Sequence, residues 1–235
     1  AQPMLGLYPK TPDYFFTKAM KLQQLVEPMQ SLKRIRQFES DLDTLVNGLD
    51  NDAAATAQRP GAQDLPTFME MMAQTEALNE DELNAFVITL FAAIAPLAQT
   101  AVNMIVHIYS QHDGVAPSNA EFVAQFDTYL ATATAPKYIH RTAIDDIMIG
   151  DQLVAAGKTV LIDMQALAAN ASAQGHSPSR LAFGLGKHVC VGAPLSKKVL
   201  KSLLTLFMAQ FPRLELGDAK INDANLIANE YPYYH

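Results

Sequence analysis

The chain has 235 residues, 49% of them apolar and 17% charged, with a net charge of −7. That balance suits a globular protein of one large or two small domains and speaks against a nucleic-acid partner, which would call for a basic surface. A single cysteine excludes an internal disulfide framework, and no Walker loop, H-E-x-x-H helix or nucleophile elbow occurs.

Residues 14–50 carry apolar side chains at helical spacing, from Phe15 through Met20, Leu25 and Met29, then from Leu32 through Ile35, Phe38, Leu42 and Leu49. The pattern predicts two helices meeting near Pro28–Ser31. Residues 51–64 are small and polar and read as a linker. A short helix is expected around Pro66–Gln74. Asn79 and Glu82 have capping-box spacing, so a long helix should begin at Glu80. It should run to about Ser110, about 45 Å at 1.5 Å per residue. Residues 85–106 form the longest uncharged stretch, but Pro96, Gln99, Thr100 and Asn103 interrupt it and Glu80, Asp81 and Glu82 precede it. It therefore reads as a buried core helix and not as a membrane span.

His112–Pro117 reads as a loop and Ala120–Leu130 as a helix. From Pro136 the spacing shifts towards alternation, and 147–162 reads as two short strands with turns at Gly150 and Gly157. Pro194–Gln210 is an amphipathic helix. The irregular end, with Tyr231, Tyr233 and Tyr234, is read as packing. No secretory leader is visible, and the sequence opens on Ala1. The expected compartment is the cytoplasm, or the periplasm if Ala1 is a processed end.

Residues 183–192 read Phe-Gly-Leu-Gly-Lys-His-Val-Cys-Val-Gly, with the sole cysteine at position 190. A thiol must lose its proton to bind a metal strongly. Gly184, Gly186 and Gly192 let the backbone bend and bring N–H donors near sulfur. The helix that follows directs its positive end to the same place, and His188 adds a donor.

The form F-x-x-G-x-H-x-C-x-G resembles the heme-binding loop of the cytochrome P-450 family. The resemblance implies a mainly α fold with a small β element, in which a long kinked central helix and the helix after the cysteine loop sandwich heme b. Cys190 would be the axial iron ligand. Phe183, Gly184, His188 and Gly192 would shape the cofactor site, with His188 on a propionate. Arg141, before the strands, matches the family's heme-contacting arginine, and Ala95 falls in the groove of the central helix. Thiolate ligation pushes electron density onto iron and favours O–O cleavage.

The resemblance covers most of the chain in segments, as a single domain over 1–235. The resemblance implies that residues 1–235 do not include the family's N-terminal sheet region, and that the linker at 51–64 stands where the lid helices would be. The distal face should then be open, or covered by a redox or capping protein. The family's E-x-x-R, a buried bracing ion pair, aligns with Thr128–Ala131 and is gone. Its third partner, an arginine in a meander, is gone too. The segment A-G-x-(acid)-T-T aligns with Ala95–Thr100, where Ala98 replaces the acid, Gln99 the alcohol and Pro96 a glycine. Proline lacks an N–H and clashes with the carbonyl of Ala92, so a kink is expected. The family's His-x-x-x-Arg pair aligns with Ala19 and Gln23; Lys18 and Lys21 are the candidates to compensate, but both read first as solvated surface lysines. His107 and His112 have no metal spacing and read as structural.

Gln99 and Thr100 are the distal candidates for catalysis. Without the acid–alcohol pair, the resemblance implies a peroxide-dependent, peroxygenase- or peroxidase-like oxidoreductase in preference to an O₂-dependent monooxygenase. The ligand would be a small organic substrate or a diatomic molecule. The alternative is a non-catalytic heme subunit, carrier or gas sensor.

Overall fold

The computed structural model describes residues 31–33, 36–43, 71, 78–173, 175 and 177–217. Close packing divides the chain into two compact units, Ala1–Ala95 and Pro96–His235. In the first, residues 32–33, 36–43 and 71 are helical. The helices expected across the rest of 14–50, the linker at 51–64, most of Pro66–Gln74, the candidates Lys18 and Lys21, and the tyrosine-rich end lie outside the described residues.

The long helix α1 spans Glu80–Gln111. Its start is the capping box expected from the sequence. Glu82 N–H donates to Asn79 Oδ1 at 3.0 Å, and Asn79 N–H donates to Glu82 Oε2 at 2.9 Å. Pro96 lies inside α1 without ending it. The helix stops where Asp113 and Gly114 turn left-handed. Gly114 is required there, because a Cβ would sit 2.7 Å from the Leu214 carbonyl oxygen. Ala92–Gln111 is long and apolar enough to cross a bilayer. Met104, Ile108 and Tyr109 within it are nonetheless fully buried in protein, as in a core helix.

Helix α2, Asn119–Thr132, begins at Ser118, whose hydroxyl accepts from Glu121 N–H at 3.2 Å. Phe122, Phe126, Tyr129 and Leu130 recur at helical spacing and form its buried face. Four strands follow, in two separate antiparallel pairs. Strand β1 (Tyr138–Thr142) pairs with β4 (Thr159–Asp163), from Tyr138 opposite Asp163 to Thr142 opposite Thr159. Between them, β2 (Ile147–Ile149) and β3 (Gln152–Val154) form a hairpin whose turn uses Gly150 at φ 62°. The expected turns at Gly150 and Gly157 are present, but three strands fall where two were expected over 147–162, and β1 precedes them. The outer pair joins distant segments, and β1, Tyr-Ile-His-Arg-Thr, has no clean alternation to betray it.

Two helices occupy the stretch between the strands and the cysteine loop, where the sequence suggested none. Asp163 Oδ1 accepts from the N–H groups of Gln165 and Ala166 and so starts α3, Met164–Ala173. Short α4 spans Pro178–Ala182. After a 3₁₀ turn at Gly186–His188, α5 runs from Ala193 to Gln210, within one residue of its expected start.

The core of the second unit joins Ala101, Met104, Ile108 and Tyr109 of α1 to the buried face of α2 and to Leu200, Leu204 and Met208 of α5. The Tyr109 hydroxyl donates to the Phe211 carbonyl and pins the exit of α5. Leu97 of α1 and Phe183 of the cysteine loop pack against this one core.

Candidate functional site

The cysteine loop is held by its own backbone. Cys190 N–H donates to the Phe183 carbonyl at 2.8 Å, Gly184 N–H to Leu181 at 3.0 Å, and Ala193 N–H to Cys190 at 3.2 Å. Gly184 has φ 77°, and a Cβ there would meet the His188 carbonyl oxygen at 2.8 Å. Only glycine closes this turn without displacing backbone. A Cβ at Gly192 would lie 3.7 Å from Cys190 Sγ, so the small residue keeps the flank of the sulfur clear. Helix α5 begins at Ala193 and brings the partial positive charge of its first turn near that sulfur.

The loop brings together Phe183, Gly184, His188, Cys190 and Gly192 as one short structure. Phe183 is anchored in the core, while the Cys190 thiol is exposed. Leu185, Val189 and Val191 flank it with large apolar side chains that are more than half exposed. Exposed apolar side chains beside a single thiol need a cover to gain their burial energy. A flat, largely apolar ring whose metal takes a sulfur ligand fits that surface. His188, in the 3₁₀ turn, is exposed at its edge. Arg141, on β1, is also exposed, and its Nη1 donates to the His140 carbonyl at 2.7 Å.

The candidates on α1 are placed differently. Ala95 is buried. Thr100 is buried and engaged twice: its hydroxyl donates to the Pro96 carbonyl at 2.8 Å and accepts from Ala135 N–H at 3.1 Å. A hydroxyl has one proton, and here it is committed to the backbone. Gln99 is also buried; its Nε2 donates to Asn103 Oδ1 at 2.8 Å, and its Oε1 has no hydrogen-bond partner.

His107 and His112 do structural work, as expected. Both rings pack edge-on against Tyr129. His107 lies 3.1 Å from the Thr132 hydroxyl, and burial lowers its pKa below the ordinary histidine value. Among the described residues no cluster of three His, Cys, Asp or Glu could hold a metal ion.

A polar group beside the loop escaped the sequence reading. Lys197 Nζ on α5 donates to Ser179 Oγ at 2.7 Å and pairs with Asp127 at 3.4 Å. It also lies 6.0 Å from the Phe183 ring centroid. These partners are 18 and 70 positions from Lys197 in sequence, and no local spacing signals them.

No protein-family profile matches the chain. Its sequence is 33% identical over 88 residues to cytochrome P450 165A3 of Amycolatopsis orientalis, and 36% identical over 89 residues to nocardicin C N-oxygenase of Nocardia uniformis subsp. tsuyamanensis. Each match covers 33% of this chain and 22% of the relative. The solved cytochrome P450 260B1 of Sorangium cellulosum So Ce56 superposes with a TM-score of 0.74 at 18% identity, over 97% of this chain and 62% of that one. The chain thus spans less than two thirds of that structure's length. It is similar in sequence to cytochromes P450 and carries a shortened form of their fold, and heme is the cofactor that this relationship implies.

Proposed function

We propose that the chain holds heme b through Cys190 and is an oxidoreductase driven by a peroxide and not by O₂ and a reductase. Bound heme would supply an iron centre for O–O cleavage, with a thiolate donating electron density. Cys190 would provide the sulfur, Leu185, Val189 and Val191 the apolar rest, and His188 and Arg141 positive or donor groups for the carboxylates at its edge.

The observation that carries the peroxide reading is the commitment of Thr100. Its proton is bound to the Pro96 carbonyl, and its neighbours Ala98 and Gln99 are neither acid nor alcohol. From Asn84 to Gln111 the helix has no carboxylate at all. Activating O₂ needs two protons delivered on cue, a task for a positioned acid or relay. A hydroperoxide already contains the reduced O–O bond. That bond breaks, one oxygen passes to the substrate C–H or sulfur, and water or an alcohol leaves.

The test uses purified, heme-loaded protein with hydrogen peroxide and a thioether. A sulfoxidation rate well above free hemin, lost in Cys190→Ser, is expected. A rate no greater than hemin, with normal turnover on O₂ and a reductase, would overturn the peroxide reading.

A second reading, a heme-binding subunit that docks on another protein, is favoured by charge. Residues 164–214 contain six Lys or Arg and no Asp or Glu, in a chain of net charge −7. Arg180, Lys187 and Lys198 of this segment are exposed near the cysteine loop. Such a face attracts an acidic partner and would show salt-sensitive association.

A further inference from the structure

We infer that Lys197 is a positioning residue that sets the cysteine loop on the α2–α4–α5 core, taking over a bracing task for which the chain lacks the family's ion pair. The inference rests on the heme-thiolate reading above for what the positioned loop does. Four side chains close a ring. Lys197 Nζ donates to Ser179 Oγ at 2.7 Å, Ser179 Oγ lies 3.3 Å from Ser177 Oγ, Ser177 Oγ donates to Asp127 Oδ2 at 3.5 Å, and Asp127 Oδ1 lies 3.4 Å from Lys197 Nζ. The donors run from the ammonium to the carboxylate by two routes, one direct and one through the two serines. Ser179 accepts from the ammonium and so has its own proton free for Ser177, whose proton goes to the carboxylate.

The ring ties three elements through one cation: Asp127 on α2, Ser179 on α4 and Lys197 on α5. Ser179 is wholly buried, and a buried hydroxyl with directed partners specifies a geometry. The same ammonium faces the ring of Phe183 at 6.0 Å. The carbonyl of Phe183 accepts the Cys190 N–H at 2.8 Å. From the cation to the thiol residue there is thus one ring contact and one backbone hydrogen bond. The positions where the bracing pair would stand cannot do this: Thr128 and Ala131 carry no charge, and Thr128 is exposed.

An ion pair this exposed adds little to global stability. Positioning and stability therefore separate in experiment. The variants are Lys197→Met, which keeps the chain length, Lys197→Arg, which keeps the charge, and Leu204→Ala, which opens a cavity in the core two helical turns along α5 from Lys197. Each is read in two ways: the share of the thiolate-type band in the reduced carbon-monoxide spectrum of the heme-loaded protein, and hydrogen exchange of the Cys190 amide without heme.

Lys197→Met should lose most of that band and speed Cys190 exchange roughly tenfold, with a smaller fall in melting temperature than Leu204→Ala. Lys197→Arg should restore both readouts, and Leu204→Ala should change neither. Should Lys197→Met fail to fold, Asp127→Ala removes both acceptors, opens the same ring from its exposed side and is read the same way. Unchanged band and exchange in the ring-opening variant would overturn the inference, as would equal losses in Leu204→Ala. A wild-type protein without a thiolate-type band would instead overturn the heme-thiolate reading, while the exchange comparison would still decide the role of Lys197.

Discussion

The hydroxyl of Tyr129 lies 2.9 Å from Nε2 of His112, joining the last turn of α2 to the residue just past the end of α1. Tyr129 is 1% exposed and also packs edge-on against His107. Burial, with the Glu121 carboxylate adding to it, raises its pKa above the ordinary tyrosine value. The phenol thus stays protonated and can donate to the imidazole. Tyr129→Phe keeps the ring packing and removes this bond. It should cost about 1 kcal/mol, read as a lower denaturant midpoint at unchanged slope.

His107 sets an acid limit on stability. Its folded pKa lies below the ordinary value of 6.5, so the unfolded chain takes up a proton first as pH falls. The stabilisation from holding it neutral is complete above about pH 6.5 and is lost as pH falls through that value towards the folded pKa. Denaturant midpoints should decline over that window, and His107→Gln should flatten the decline. An identical slope in the variant would assign the acid sensitivity to other groups.

Thr100 should prove structural. Thr100→Val preserves shape but leaves the buried Ala135 N–H without its acceptor, at a cost of about 1–3 kcal/mol. Thr100→Ser should recover most of it. Peroxide turnover per folded, heme-loaded molecule should stay within about twofold in both, since a proton held by Pro96 is not one that acid catalysis uses. A fall of a hundredfold or so in Thr100→Val alone would return Thr100 to the proton path.

Gly184→Ala should disable the loop. The left-handed backbone costs a residue with a Cβ about 1–2 kcal/mol, and the methyl would also collide with the His188 carbonyl. Heme titration should show affinity at least tenfold weaker, with the melting temperature of the heme-free protein lowered only modestly. Gly150→Ala is the control. It too has positive φ, but a Cβ there meets nothing, so it should leave heme affinity alone.

The sequence by itself determined the features that rest on near neighbours. The capping box at Asn79 and Glu82, the start and length of α1, the α2 and α5 helices, and the turns at Gly150 and Gly157 follow from spacings of a few residues. At that range side-chain hydrogen bonds, helical periodicity and glycine torsions act directly. The proposal for the cysteine loop could be drawn for the same reason: the residues that carry it occupy ten consecutive positions. Only the tertiary structure decided that β1 pairs with β4, that Thr100 spends its proton on Pro96 while accepting from Ala135, and that Lys197 closes a ring with Ser177, Ser179 and Asp127. These contacts join residues distant in the chain, or depend on which of several partners a hydroxyl meets once buried. No periodicity records such choices, because packing makes them after the local elements have formed.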